Sequence, residues 1–237
     1  MLKKNKGVLI VLAIIAVFAG AFWLSNQAAE EANEGVVIEP NVKGNPDAAV
    51  ELIKYSDFQC PACAAAATVV DTLVAEYGDD IRVEYRHFPL VTIHPMAIPA
   101  ARATEAAAQQ DAFWGMHDLL FANQQAWSSA PNATAFFIGY AEELGLDVPT
   151  FRRHLGASVI EEHVRAQFAE ARDAGFTGTP TFTLNGERMA FESYDDFASQ
   201  IIAAIAAANG SPVTPTSTST ATGTPTTAAD VGVQFGI

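Results

Sequence analysis

Val50-Glu51-Leu52-Ile53-Lys54-Tyr55-Ser56-Asp57-Phe58-Gln59-Cys60-Pro61-Ala62-Cys63 leads from a run of strand-forming residues into the only two cysteines of a 237-residue chain. The first six residues are rich in β-formers and predict a strand. Pro61 suits the first position of a helix, where a missing N–H costs nothing. An Ala-rich helix is predicted from there to about Tyr77, with Gly78 as its stop. Ile81 to Arg86 predicts a second strand. The stretch therefore opens a β-α-β unit with the cysteine pair at the start of its helix.

Two thiols separated by two residues, the first followed by proline, suit a disulfide that forms and breaks reversibly. A zinc site needs about four ligands, and no second Cys or His pair stands nearby. With Pro61 as first helical residue, Cys60 falls at the N-cap. Free backbone N–H groups and the positive end of the helix dipole there stabilise a thiolate. Cys63, one turn inside, is more shielded. Cys60 is thus expected to attack and Cys63 to resolve.

Beyond the second strand comes a helical block, about residues 95–173. Phe113, Met116 and Leu120 fall at i, i+3 and i+7, and Phe137, Tyr140, Ala141 and Leu144 repeat the spacing. Such stripes predict core faces. Thr181 to Leu184 predicts a strand, Asn185-Gly186 a tight hairpin turn, and Arg188 to Phe191 the returning strand. Ser193 with Asp196 three residues on resembles a capping box for a last helix ending near Asn209-Gly210. The order is β-α-β, helices, then β-β-α.

This order resembles the thioredoxin fold with an inserted helical subdomain, as in the DsbA-like disulfide oxidoreductases. Tyr55 to Cys63 looks like the active-site strand and helix start of the membrane-anchored bacterial members. Arg86-His87-Phe88-Pro89-Leu90, Phe113-Trp114, His117 to Phe121 and Gly178-Thr179-Pro180-Thr181-Phe182 are also similar to that family. Alone, Thr179-Pro180 would be a turn or strand-entry signal. The resemblance implies that this bond is cis and faces the cysteines, with the Thr179 backbone positioning a client strand. Lys54 departs from the pattern: many relatives carry an acid six positions before the first cysteine. A lysine there either snorkels to solvent or lies near Cys63, favours its thiolate and makes the disulfide more oxidising. Ala62 lacks the imidazole that strongly oxidising relatives place between their cysteines. His87 and His94 read as loop contacts, and His117, His154 and His163 as structural or surface residues.

Lys3, Lys4 and Lys6 precede an apolar run from Gly7 to Leu24. At ~1.5 Å per residue the run just spans a ~30 Å hydrocarbon core. Residues 1–25 read as a cytoplasmic N-terminus and single transmembrane anchor, with the following domain outside the membrane. The alternative is a cleaved signal peptide, with Ala19-Gly20-Ala21 as its site. Residues 26–47 read as a linker containing a short edge strand at Val36-Val37-Ile38, and 48–209 as one domain. Residues 210–237, rich in Ser, Thr and Pro, read as a disordered tail. The net charge of −14, with three lysines concentrated before the apolar run, excludes the basic footprint of a nucleic-acid binder.

The expectation is a membrane-tethered thiol–disulfide oxidoreductase that donates the Cys60–Cys63 disulfide to exported cysteine-containing proteins. The resemblance implies a quinone-linked membrane partner of the DsbB or vitamin K epoxide reductase type. Exchange calls for no cofactor and no metal, and a monomer is expected because nothing resembles a dimerisation region. The rivals are a reductase or isomerase of the same fold, and a chaperone in which the cysteines are incidental.

Overall fold

The computed structural model describes residues 5–210, with side chains from Leu9 onward. The predicted tail lies outside the described residues. The elements are α1 (Asn5–Asn33), β1 (Asn41–Gly44), β2 (Val50–Ser56), α2 (Pro61–Tyr77), β3 (Ile81–His87), α3 (Ala97–Ala108), α4 (Phe113–Ala122), α5 (Gln124–Ser128), α6 (Thr134–Glu143), α7 (Val148–Leu155), α8 (Ser158–Asp173), β4 (Thr181–Leu184), β5 (Glu187–Arg188) and α9 (Tyr194–Ala208).

The strands form one sheet in the order β1-β3-β2-β4-β5. β2 runs parallel to β3, and β1, β4 and β5 pair antiparallel to β3, β2 and β4 respectively. This is the thioredoxin fold with a helical insertion. Side chains alternate across a strand, so β2 serves two cores. Val50 and Leu52 pack with Val70 and Leu73 of α2 and Phe197 and Ile201 of α9. Ile53 and Tyr55 pack on the other face with Phe88, Ala171 and Phe176. A third core, inside the insertion, gathers Met116, Leu120, Trp127, Phe137, Phe151 and Ile160, and Phe58 and Tyr85 reach into it from the sheet.

The predicted hairpin turn is present, with φ of 50° at Asn185 and 86° at Gly186. The positive angles match the turn that best continues strand twist. Ser193 caps α9 by accepting a bond from the Asp196 N–H. The returning strand is shorter than the predicted Arg188 to Phe191, because Met189 makes one last bond to Phe182 and Phe191 then turns into the α9 core.

The stretch read as a linker is largely structured. α1 continues through the helix formers Ala28 to Ala32 and docks on α7 and α8. Asn33 Oδ1 accepts from Val159 N at 3.2 Å, and Asn33 Nδ2 donates to Ser158 Oγ at 3.1 Å, satisfying groups at the α8 start. Val36 to Ile38 is not an edge strand. Val37 pairs instead with one side-chain amide: its N–H donates to Gln109 Oε1 at 2.8 Å and its carbonyl accepts from Gln109 Nε2 at 3.0 Å. The edge strand on this side of the sheet is β1, three residues later. From Leu9 to Leu24 the large apolar side chains of α1 are exposed all round, in a helix long and apolar enough to cross a membrane.

Gly44 sits at φ 83°, where a Cβ would meet the Ile81 carbonyl oxygen. Gly44→Ala is therefore expected to destabilise the domain by about 2 kcal/mol, a Tm drop of roughly 4–8 °C. Gly139, exposed in α6 with nothing within 4 Å of its would-be Cβ, is the control: Gly139→Ala should leave Tm unchanged or raise it. Thermal melts of the full chain in detergent measure both.

Candidate active site

The turn between β2 and α2 is built by Asp57. Its Oδ1 accepts from Gln59 N at 2.7 Å and its carbonyl from Cys60 N at 3.1 Å, so the chain reverses within three residues. Cys60 is the N-cap of α2, in extended conformation, with Pro61 following it. Its carbonyl accepts from Cys63 N at 3.1 Å and Ala64 N at 3.3 Å, which starts the helix. Both thiols are free.

The insertion clamps this turn. Gln59 Oε1 accepts from Met96 N at 2.8 Å, and Gln59 Nε2 donates to Ser128 O at 2.9 Å. Gln124 Nε2 donates to the carbonyls of Phe58 at 2.8 Å and Cys60 at 3.0 Å. Asp57 Oδ2 accepts from Leu90 N and meets His94 Nδ1, both at 2.8 Å. His94 is thus the loop contact that its sequence context predicts. Gln59 and Gln124 carry no sequence signal for this role, since their partners are backbone groups of distant segments.

Across from the cysteines, Thr179-Pro180 is cis, as the resemblance implied. The Thr179 carbonyl accepts from the Cys60 thiol at 3.6 Å. Tyr194, at the start of α9, donates its hydroxyl proton to Ala62 O at 3.3 Å and flanks the same opening.

The two thiols differ sharply. The Cys63 thiol, the Thr179 side chain and the helix-start N–H groups hold Cys60 down to about 6, against the opposing effect of partial burial. Complete burial, reinforced by Cys60, pushes Cys63 well above the usual thiol range. The site thus has one sulfur at the helix start, 7 % exposed, that ionises easily and one fully enclosed sulfur, 0 % exposed, that does not.

Lys54 does not snorkel. Strand alternation puts it in the row of Val50 and Leu52, facing α2, and it is 2 % exposed. Burial pushes its ammonium down to about 8, and Cys63 and Asp71 oppose the shift. Its Nζ lies 4.9 Å from the Phe121 ring centroid and 5.7 Å from that of Tyr85. His117, read from sequence as structural or surface, is buried against the same two rings, with centroids 4.9 Å and 5.6 Å away. Burial holds it down to about 4, opposed by the Asp118 contact. Beyond the family-like stretch His117 to Phe121, its sequence signal is the adjacent Asp118, whose Oδ1 lies 2.7 Å from His117 Nδ1. Among the described residues, no group of three His, Cys, Asp or Glu side chains is placed to hold a metal.

This combination of sheet, insertion, dithiol turn and facing cis-proline loop defines a dithiol protein of the thioredoxin fold with the DsbA-like arrangement. A family model described as thioredoxin matches residues 37–203, and the chain belongs to that family. It is 41% identical over 170 residues to the Na(+)/H(+) antiporter NhaA 3 of Salinispora tropica, covering 66% of this chain but 24% of that protein. The chain therefore corresponds to about a quarter of the curated relatives it matches. Among solved structures, a thioredoxin-like oxidoreductase from Silicibacter pomeroyi is 29% identical with a TM-score of 0.59, covering 70% of this chain and 91% of that one. The α-DsbA1 protein of Wolbachia pipientis shares the fold at 18% identity with a TM-score of 0.64, covering 73% and 94%.

Alkylation of the reduced chain with iodoacetamide, mapped by mass spectrometry, should label Cys60 with a midpoint near pH 6 and leave Cys63 unlabelled. The same depression makes reduced-state stability pH-dependent. An unfolded thiol ionises near ~8.5, so the Cys60 contribution is fully present above that pH and is lost as pH falls through about 6. Reduced Cys60→Ala should lack this part of the pH dependence.

Proposed function

We propose that this chain is a membrane-anchored thiol–disulfide oxidoreductase, and specifically an oxidase that donates the Cys60–Cys63 disulfide to exported proteins. The observation that carries this reading is the split between the two thiols, with the acidic one at the open helix start. A stabilised Cys60 thiolate favours the reduced form and so makes the disulfide a better oxidant.

A client thiolate attacks Cys60 Sγ, the bond between Cys60 and Cys63 breaks, and its electron pair goes to Cys63. A second client thiolate then attacks the client sulfur of the mixed disulfide and releases Cys60. The client loses two electrons, which the dithiol passes to a membrane partner of the quinone-linked DsbB or vitamin K epoxide reductase type. Thr179 and Pro180 position the client strand: the Thr179 carbonyl, 3.6 Å from Cys60 Sγ, is a backbone acceptor beside the reacting sulfur.

The anchor reading rests on the exposed apolar helix and the lysines that precede it, which favour an inside N-terminus and an extracytoplasmic domain. That a related segment forms part of proteins named as antiporters supports a membrane setting.

Titration of the full chain against glutathione should give a midpoint potential above about −200 mV; a value near about −270 mV would mean a reductase. Cys60→Ser should abolish oxidation of a reduced cysteine-containing peptide, and peptide binding that survives without both thiols would point to a chaperone. Lys54→Glu should lower the potential, because a carboxylate there opposes the Cys63 thiolate.

A further inference from the structure

The Asp57 side chain is 0 % exposed, and its two oxygens accept three hydrogen bonds. Oδ1 takes the Gln59 N–H and so forms the dithiol turn itself. Oδ2 takes the Leu90 N–H and His94 Nδ1–H, each at 2.8 Å, so both ends of the loop Leu90 to His94 hold one oxygen. That loop closes on itself, His94 N–H donating to Leu90 O at 2.8 Å. Two residues on, Met96 N–H donates to Gln59 Oε1, and the same segment grips the turn a second time. Of the three donors on the carboxylate, His94 is the only side chain. The Asp57 backbone meets both cysteines. Its carbonyl accepts from Cys60 N at 3.1 Å, and it faces the Cys63 sulfur, whose thiolate it favours.

We propose that His94 is a positioning residue of the dithiol: by anchoring the Asp57 carboxylate it holds the turn that sets Cys60 against the helix-start N–H groups. The inference deepens the exchange activity proposed above and rests on it. A buried carboxylate is tolerated only with its hydrogen bonds made. Without the Nδ1–H donor, Asp57 Oδ2 keeps the Leu90 N–H alone, and the carboxylate shifts toward another donor or toward water. Such a shift moves the Gln59 N–H on Oδ1 and the Cys60 N–H on the Asp57 carbonyl, because both belong to the same short turn. Cys60 then loses the alignment in which the Ala62 and Cys63 N–H groups and Thr179 favour its thiolate. The effect reaches the sulfur through Asp57, since His94 bonds to the carboxylate and not to either cysteine. A histidine that served only to tie down its own loop would change stability and leave the sulfur's acidity alone.

The test compares two substitutions that differ in where they place an amide. Asn carries its N–H donor at the branch where histidine carries Nδ1, and Gln carries it one atom further out. The reduced full chain in detergent is alkylated with iodoacetamide across the pH range, Cys60 labelling is read by mass spectrometry, and thermal melts are run beside it. In the wild type the Cys60 midpoint lies near pH 6. His94→Gln should raise it by about one pH unit, a roughly tenfold loss of thiolate below the midpoint. His94→Asn should restore the wild-type midpoint. Equilibration with glutathione should follow the same order, His94→Gln being a roughly tenfold weaker oxidant and His94→Asn matching the wild type. A lower Tm in His94→Gln with an unchanged Cys60 midpoint makes His94 scaffold only and overturns the proposal. A midpoint raised in His94→Asn as far as in His94→Gln overturns it too, because the Nδ1 donor is then not what matters. If His94→Gln fails to fold, His94→Ala carries the same expectation, and a wild-type midpoint there overturns the proposal alone. A wild type that alkylates near pH 6 but never exchanges with glutathione overturns the oxidoreductase reading instead.

Discussion

The start of α2 is the constraint on which the site depends. A helix start leaves backbone N–H groups unsatisfied, and Cys60 occupies the N-cap beside them. One helical turn further in, Cys63 is enclosed between α2 and the sheet. The acidity of one thiol and the reluctance of the other are two consequences of the same placement. Asp57 shapes the turn, and Gln59 and Gln124 hold it from the insertion.

The helical insertion therefore both builds a third core and completes the active-site turn. Phe58 and Tyr85 extend from the sheet into the insertion core, so the active-site turn and the insertion are packed as one body. The same junction encloses Lys54 and His117. Apolar packing would be the cheaper solution at that depth. An unpaired ammonium and an imidazole beneath a reacting sulfur are local violations of good packing, of the kind found where chemistry is done.

Much of this was legible in the residues. The first β-α-β unit is written in strand-forming runs, a proline at the first helical position and a glycine stop, all local signals. So are the Asn185-Gly186 turn and the Ser193 cap. The reading failed where local signals are weak or where a distant partner decides. Val36 to Ile38 has the composition of a strand, but Gln109, more than seventy residues away, takes its backbone bonds. Polar residues after Leu24 read as a tether because nothing local shows that Asn33 meets the first turn of α8. His117 reads as ordinary because only the packing of α4 on the sheet buries it.

What the chain determined by itself is the pair of sulfurs, their spacing and their place at a helix start, because helix initiation and strand alternation are short-range properties of adjacent residues. Alternation also put Lys54 on the face of Val50 and Leu52. Only the tertiary structure decided that this face is sealed, that the Thr179 carbonyl meets Cys60, and that His117 lies beside Lys54. Those contacts join residues tens of positions apart, and they exist only once the insertion has closed over the sheet and shut water out.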